Sequence, residues 1–428
     1  MKCKMKVGEL REALATASIT MDRRAGSEYG FVYLGAKRMK SGANQRLILN
    51  STDGIRRFLL KVVCEVEEIG DLVIDPVRLS TILDKRGDDE AVTFTQDVAT
   101  KRTIVRCGGS RIALMSSGKP LAFDMNMKAF PAPDTKPTFL IESANLKSML
   151  DQTQSFIYRK DDKASFKTLM IRTTGTGYEA FTTNSECIAN GRVEDTNSPG
   201  LTDGKPVRML EIPQGALSSL SKLLNRNKKE TIQVIVVKSP DGRDQAAYFR
   251  TELAFFGTNL MASTQPPMDA VFKAQVMTME VQVPRDGLLT SISRSSPFCS
   301  ETVAGRLVCL DVKNSIVRLS AQDQFGEFEE ELATATPATG VGRATFRSDF
   351  LSDALRSSSA DLVVLKMGLN SGNIGRPSAV LSSGAGGAGA TYVIAGICDK
   401  EVLRQLSNGS ISDQDTAAKM ASIPKAAA

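Results

Sequence analysis

The sequence of 428 residues contains no histidine and no tryptophan. Without histidine, the chain cannot form a Ser-His-Asp or Cys-His catalytic site, an imidazole general base or a His-ligated metal site. Aromatic residues make up only 6% of the chain, which argues against the base-stacking platforms of single-strand-binding proteins. These absences disfavour an enzyme, although chemistry based on carboxylates or lysines stays open.

The seven cysteines are widely spaced and include no CxxC pair, which argues against a disulfide framework or a zinc site and fits a reducing cytoplasm. No apolar run approaches the ~18 residues of a membrane span. The N-terminal segment has neither the apolar core nor the cleavage site of a secretory signal. We therefore predict a cytoplasmic protein without a metal or a cofactor. The formal net charge of +6 permits an anionic partner.

What the sequence does contain is a repeated strand–helix–strand pattern. The stretch VIDPVRLSTILDKRGDDEAVTF, residues 73–94, predicts a helix that a proline opens, an acidic turn and an alternating strand. Similar stretches begin at Glu211 and Phe346. Their first helix leucines, Leu79, Leu217 and Leu351, lie 138 and 134 residues apart. Such self-similarity at a fixed period indicates a repeat architecture.

A second amphipathic helix recurs at the same interval. Its aligned leucines, Leu10, Leu146 and Leu288, lie 136 and 142 residues apart. Ser143 and Asp286 stand where N-caps are expected. The chain thus reads as three repeats of roughly 135–140 residues, each with two similar halves of one helix and several strands.

The strands are predicted from alternation and β-branched content, as in RLILNST, RFLLKVVCEV, TIVRCGG, RIALMSS, TIQVIVV, LVCLDV and IVRLSA. SPDGRD and VKNS are hairpin signals. Proline-containing joints at 127–139 and 263–275 separate the repeats. We predict an α+β fold of three repeated domains, each with two helices packed on antiparallel sheets. The predicted limits are 1–130, 137–272 and 278–398, followed by a polar tail at 399–428.

Two patterns resemble functional motifs. The segment GAGGAG, Gly384–Gly389, matches GxGxxG, but a strand-like TYVIAG follows it and no βαβ unit surrounds it, so a loop is predicted. The acidic clusters DDEAV and GEFEEEL are interpreted as charged turns and solvated strand faces rather than paired catalytic carboxylates.

The order and spacing of the repeats resemble the bacterial DNA polymerase III beta subunit, the sliding clamp, over residues 1 to about 398. The runs that carry the resemblance include LILNSTDGIRRFLL, FLIESANLKSMLDQTQSFIYRKDDKASFKTLMIRTTGTGYEAFTTNSECIA and VPRDGLLTSISRSSPFCSETVAGRLVCLDV. The resemblance implies a non-catalytic processivity factor. Two copies would close into a ring around duplex DNA, with helices lining the hole. The implied partners are double-stranded DNA, a replicative DNA polymerase, a clamp loader and a second copy of the chain.

A ring around DNA requires lysine and arginine side chains aimed at phosphates. The polar faces of the repeated helices supply the candidates Arg11, Arg78, Lys147, Lys222, Arg226, Arg294 and Arg356. Two loops that correspond to DNA-contacting loops of the family add Arg23, Arg24, Arg159, Lys160 and Lys163. The second loop lacks the aromatic residues that are common in the family, so contact there is predicted to be electrostatic only.

The resemblance also implies an apolar groove that receives peptides from the polymerase and the loader. By position, its lining residues are Phe166, Thr183, Cys187, Ile188, Pro267, Val271, Phe272, Val393, Ala395 and Ile397. The family usually has ATDGHRL where this chain has TTNSECI at 182–188. This departure predicts either an altered peptide preference or a partial loss of the groove.

Ring closure would join repeat one of one copy to repeat three of the other, through Ile112, Leu114 and Phe298. A two-repeat, trimeric clamp is disfavoured because this chain has three repeats. A carboxylate-based hydrolase and a protein-binding scaffold that never touches DNA stay open as alternatives, although no motif indicates a catalytic carboxylate pair.

Overall fold

A computed structural model describes most of the chain. The described residues are 1–22, 24, 27, 29–38, 45–97, 102–115, 130–158, 166–195, 209–226, 230–261, 268–299, 301–302, 305–370, 377–383 and 389–397. They divide between two compact units: unit 1 holds residues 1–180 and 193–264, and unit 2 holds 181–192 and 265–428. The domain limits predicted from the sequence stay a prediction beside these two units.

Within its described residues, unit 1 contains four α-helices and two large antiparallel sheets. The helices are α1 (Val7–Ala17), α2 (Pro76–Leu83), α3 (Ser143–Thr153) and α4 (Gln214–Arg226). The first sheet has the order β5 (Glu65–Glu68), β1 (Lys2–Lys6), β7 (Ala91–Asp97), β8 (Arg102–Cys107) and β9 (Ser110–Met115).

The second sheet of unit 1 has eight strands. Its order is β10 (Phe139–Glu142), β15 (Thr231–Lys238), β16 (Asp244–Arg250), β17 (Ala254–Asn259), β4 (Arg56–Val63), β3 (Gln45–Thr52), β2 (Val32–Arg38) and β6 (Gly70–Ile74). Pairing of β4 with β17 therefore joins the first repeat to the second through backbone hydrogen bonds. A separate pair consists of β11 (Thr168–Thr173) and β14 (Met209–Pro213).

The described part of unit 2 contains three α-helices, α5 (Met268–Lys273), α6 (Arg285–Ser295) and α7 (Ser348–Ser357). One antiparallel run joins β13 (Cys187–Glu194), β26 (Gly389–Ala395), β25 (Pro377–Ser383), β24 (Leu362–Asn370) and β18 (Gln275–Pro284). The other joins β19 (Glu301–Thr302), β20 (Gly305–Lys313), β21 (Ile316–Gln322) and β22 (Glu327–Ala333), with β23 (Gly342–Arg347) also on β20. The unit limits fall within β12 (Gly177–Thr183) and within β13.

The repeated helices form three pairs: α1 packs on α2, α3 on α4, and α6 on α7. All six leucines used to align the repeats are buried. Each of these helices follows directly on a strand or one residue after it, as β6 does before α2. The helix and strand pattern predicted from the leucine spacing is confirmed, because burying a leucine at the same turn of each helix is what packs the pairs.

The helix caps differ from those predicted. Asp75, before Pro76, caps α2: its carboxylate accepts from Val77 N at 3.0 Å and from Arg78 N at 3.4 Å. The prediction for Ser143 was wrong, since it is already helical and its hydroxyl donates to Leu224 O at 3.4 Å. Asp286 is also inside its helix, paired with Arg285, so that prediction was wrong too.

Both hairpin signals are confirmed. The β15–β16 turn has Gly242 at a φ of +83°, and the β20–β21 turn has Asn314 and Ser315 at +52° and +61°. GEFEEEL forms β22, with exposed glutamates alternating with half-buried residues as expected. Residues 384–388 of GAGGAG lie outside the described residues. Because β25 and β26, on either side, pair antiparallel, the βαβ context of a dinucleotide site is not present here.

Six cysteines fall within the described residues, and all six are free thiols. Five of them are buried, as expected for small core residues, and only Cys309 is half-buried. In the part of the chain that the structure describes, no group of three His, Cys, Asp or Glu side chains is placed to hold a metal ion. No helix within these same ranges is long and apolar enough to cross a membrane.

Two glycines of unit 1 should respond oppositely to alanine. A Cβ on Gly257, in β17, would lie 2.5 Å from Cε1 of Tyr248 on β16. The Gly257→Ala variant is therefore expected to lower the free energy of unfolding by about 1–3 kcal/mol through overpacking. Gly215→Ala in α4 meets open space and should raise it by about 0.5–1 kcal/mol. Thermal and urea unfolding of both variants provide the test; equal shifts would contradict it.

Candidate nucleic-acid interface and peptide groove

The helix residues predicted to contact DNA differ in whether their charged groups already bind carboxylates or carbonyl oxygens within the protein. Arg11 of α1 donates from Nη1 to Asp88 at 2.8 Å, and from Nη2 to the carbonyls of Leu83 and Arg86, each at 2.8 Å. It thereby caps the C-terminal end of α2, where a cation is favoured. Arg11 holds the first helix pair together, and its guanidinium is not a freely exposed cation.

Three other helix cations lie beside a carboxylate. Arg78 is 78% exposed, 3.3 Å from Asp75. Lys147 pairs with Asp151 one turn later on α3. Arg294 donates to Glu330 at 2.8 Å. Each of these pairs has at least one exposed member, and such pairs contribute little to stability. The three cations are therefore not firmly fixed to their carboxylates.

Lys222 and Arg356 occupy equivalent places in α4 and α7, each five residues after the aligned leucine of its repeat. Both are exposed, and neither makes an ion pair with any residue within the described ranges. Lys147 and Arg11 are equivalent in the same way, one residue after their leucines. The repeat thus places cations at matching helix positions, which suits contact with a regular row of phosphates.

Of the five cations predicted on the two loops, one is described. Arg24 is 87% exposed and forms an ion pair with Asp22 of its own loop. Its Nε and Nη2 donate to Oδ2 of Asp22 at 2.8 and 2.6 Å. Hydrogen bonds from Arg24 hold the pKa of Asp22 well below its usual value. Arg23, Arg159, Lys160 and Lys163 lie outside the described residues, as does the side chain of Arg226 at the end of α4.

Most of the predicted groove residues belong to unit 2. Ile188, Val271, Phe272, Ala395 and Ile397 are half-buried apolar side chains. Ile188 faces Val393 across the β13–β26 ladder, and Cys187 faces Ile394. The rings of Phe272 and Phe181 are 6.4 Å apart at 59°. Phe166 belongs to unit 1, half-buried against Tyr158. Pro267 lies outside the described residues.

The divergent segment TTNSECI forms a tight turn. The Asn184 side chain accepts from Glu186 N at 3.1 Å and from Cys187 N at 2.7 Å. Ser185 has a φ of +76°, an uncommon conformation for a residue with a side chain. Thr183 closes the turn by donating to Cys187 O at 2.8 Å. Burial raises the pKa of the Cys187 thiol well above its usual value, so Cys187 acts as an apolar side chain here.

Arg347 and Phe350, which were not predicted from the sequence as site residues, form a contact beside this turn. Arg347 stands 4.0 Å above the ring of Phe350, a cation–π distance, and its guanidinium is 2.6 Å from Asp349 and 3.5 Å from Glu186. Ile397 is held next to them, since its N–H donates to Thr345 O at 2.9 Å. Arg347 and Phe350 are three residues apart in FRSDF, residues 346–350, and this spacing could have indicated their contact. The pairing of Arg347 with Glu186 spans 161 residues, so no local sequence pattern could have indicated it.

The predicted dimer residues lie on two sheet edges. Ile112 and Leu114 alternate with exposed residues on β9 and pack against the core of unit 1. Within the described strands, β9 pairs only with β8. Phe298 stacks on Phe328 of β22, with centroids 5.9 Å apart at 29°. Strand β22 likewise has one described partner, β21. Among the described strands, both edges therefore carry unpaired backbone groups.

Solved structures match almost the whole chain. The DNA polymerase III beta subunit from Pseudomonas aeruginosa matches with a TM-score of 0.75 and 18% identity, over 93% of this chain and 100% of that one. The beta subunit from Streptococcus pyogenes gives 0.77 and 15%, with the same coverage. The chain has the sliding-clamp fold. The DNA polymerase sliding clamp from Bacillus subtilis, at 0.76 and 15%, covers 93% of this chain and 99% of its own.

The sliding-clamp fold confirms the α+β architecture and the resemblance inferred from the repeat spacing. No protein-family model matches the chain, and no curated protein matches it in sequence. At 15–18% identity, a clamp fold is preserved through helix–helix packing and strand pairing while most individual side chains have changed.

Proposed function

We propose that this protein is a DNA sliding clamp: two copies close around duplex DNA and tether a DNA polymerase to its template. The observation that carries the proposal is the match over 93% of the chain to complete DNA polymerase III beta subunits. In this role the protein performs no covalent chemistry. It acts in the cytoplasm, with duplex DNA, a replicative polymerase and a clamp loader as partners.

DNA contact is assigned to the helix cations. Lys222 and Arg356, with exposed Arg78, meet phosphates without reading bases, and Lys147 and Arg294 join them by exchanging their carboxylates. Contacts of this kind are weak one by one and independent of sequence, which allows sliding. The loop residues Arg23, Arg24, Arg159, Lys160 and Lys163 extend the same contact.

Ring closure is assigned to strand β9 of one copy against β22 of the other. Arg106 and Arg111 face each other across β8 and β9, both exposed, with no ion pair to any described residue. Strand β22 exposes Glu327, Glu329 and Glu331, of which Arg318 pairs with the last two. Pairing the two edges brings opposite charges together and covers unpaired backbone groups. Ile112, Leu114 and Phe298 supply the apolar part of the joint.

Peptide binding is assigned to the half-buried apolar row of unit 2, from Ile188 through Phe272 to Ile397. Such a surface accepts leucine and phenylalanine anchors of a short partner segment. Arg347 and Glu186, beside the row, add one charge of each sign. These charges favour partner peptides that carry a polar or ionic group next to the apolar anchors.

The test is topological. The labelled protein is loaded with a clamp loader onto a nicked DNA circle, and retention is followed by gel filtration before and after a restriction enzyme cuts the circle. A sliding clamp stays on the closed circle and leaves the cut one within minutes. Equal loss from both forms would refute encirclement. An unrelated circle without the cutting site controls for the enzyme.

A further inference from the structure

The face of the eight-stranded sheet opposite its helices carries a cluster of three cations. Leu47, Leu49 and Leu60 fill the helix side of β3 and β4, so the alternate residues lie on the other face. Those residues include Lys37 of β2, Arg46 of β3 and Lys61 of β4. We refer to these three residues as the outer basic patch.

The register brings the three charges close together. Lys37 and Arg46 are direct cross-strand partners, and Arg46 pairs in turn with Val63, two residues after Lys61. Cross-strand neighbours stand about 5 Å apart at Cβ and diagonal ones about 7–8 Å apart. Burial, together with the charges of Arg46 and Arg250, lowers the pKa of Lys61. Lys61 therefore lies within the field of two arginines.

No carboxylate forms an ion pair with the patch within the described residues, although Asp71 lies on the same face opposite Gly35. None of its three residues makes an ion pair or a side-chain hydrogen bond with the described part of the chain. The Nε of Arg46 is shut off from water without a hydrogen-bond partner among those residues. Glu252 is the one carboxylate that raises the pKa of Lys61, and its effect on this pKa is the smallest. Directly opposed like charges destabilise a sheet, so this arrangement has a folding cost that an anion would relieve.

Apolar residues border the charges on the same face. Val63, opposite Arg46, is 58% exposed, and Ile48, opposite Lys61, is half-buried. The patch spans about two strand spacings, roughly 10 Å. Three cations form a short track for a nucleic acid, since a protein held strongly by phosphates makes about 6–10 such contacts. Three clustered cations beside an exposed valine are complementary in charge and polarity to a short peptide segment that carries a few carboxylates next to an apolar side chain.

We propose that the outer basic patch binds an acidic segment of a partner protein, in which two or three carboxylates flank an apolar side chain. The carboxylates meet Lys37, Arg46 and Lys61, and the apolar side chain covers Val63. This surface is separate from the helix cations and the apolar row assigned above. It gives the protein a second kind of partner peptide, recognised by charge more than by apolar anchors.

The test uses the full chain and fluorescence anisotropy at low salt. The probe is a fluorescein-labelled 12-residue peptide in which glutamates alternate with valines and serines. A matched peptide with glutamine for each glutamate, and a 12-nucleotide oligothymidylate, are the comparisons. Arg46→Gln combined with Lys61→Gln should weaken glutamate-peptide binding at least fivefold. Lys238→Gln combined with Arg243→Gln, at the exposed β15–β16 hairpin, should change it less than twofold.

Every outcome of the anisotropy experiment either supports or overturns the proposal. No measurable glutamate-peptide binding, equal binding of the glutamine peptide, or equal losses in the two double variants would overturn the proposal. Tighter binding of oligothymidylate that depends on Arg46 and Lys61 would replace it with a nucleic-acid site. Thermal melting checks the fold: removing opposed like charges should leave the melting temperature of the Arg46/Lys61 double variant equal or higher.

Discussion

Reversing Arg106 of β8 and Arg111 of β9, here called the β9 variant, is expected to convert the proposed dimer to monomers. In the Arg106→Glu, Arg111→Glu variant, β9 would repel the glutamates of β22 in the second copy. Each exposed arginine–glutamate contact contributes about 1 kcal/mol. A ring of two copies has two joints with two such arginines each, and therefore contains four of these contacts. The dimer should weaken by about 4 kcal/mol, a roughly thousand-fold rise in Kd. Light scattering after gel filtration should report the 46.1 kDa mass of one chain.

A reciprocal variant makes this prediction specific. Glu329→Lys combined with Glu331→Lys reverses β22 instead and should also be monomeric. Mixing the two variants should restore a dimer, because both joints of the mixed ring are then complementary. Lys238→Glu with Arg243→Glu changes the net charge as much as the β9 variant and should stay dimeric. A dimeric β9 variant, or a mixture that stays monomeric, would show that these edges do not meet.

The second large effect is expected at Phe272. Its ring is half-buried against Phe181, so truncation removes both a wall of the apolar row and an aromatic contact. Phe272→Ala should weaken a fluorescein-labelled ten-residue peptide with leucine and phenylalanine anchors by about 2 kcal/mol, roughly 30-fold in Kd. Anisotropy titration measures the loss.

Phe325 offers a matched control in the same unit. It is 88% exposed at the β21–β22 turn and is not among the residues assigned to the peptide, so Phe325→Ala should leave the Kd within twofold. Similar losses in both variants, or an unchanged Kd for Phe272→Ala, would remove Phe272 from the site. Circular dichroism melting of both variants separates lost binding from lost folding.

The sequence predicts the elements well because their signals are local. Leucines at helical spacing mark all six repeated helices, and glycine or asparagine marks the hairpin turns. The caps at Ser143 and Asp286 were predicted wrongly because strands β10 and β18 run directly into their helices, leaving no separate cap residue. Periodicity fixes which face is buried, but not the residue at which a helix begins.

Individual sites were predicted less completely because their contacts are long-range. Arg11 resembles any other cation on a polar helix face, and only the packed structure shows that it binds the end of α2. Arg347 and Glu186 become neighbours through the fold alone. A family resemblance supplies positions, whereas a long-range contact such as that of Arg347 with Glu186 appears only in three dimensions.

The backbone pairing between β4 and β17 has a consequence for any shortened form of this protein. A fragment ending near residue 130 would lose β17 and leave Arg56–Val63, still paired with β3, as an uncovered edge strand. Such a strand is a template for aberrant association. The first two repeats therefore share one continuous sheet, and if the proposed ring opens to admit DNA, we expect the opening to lie elsewhere than between them.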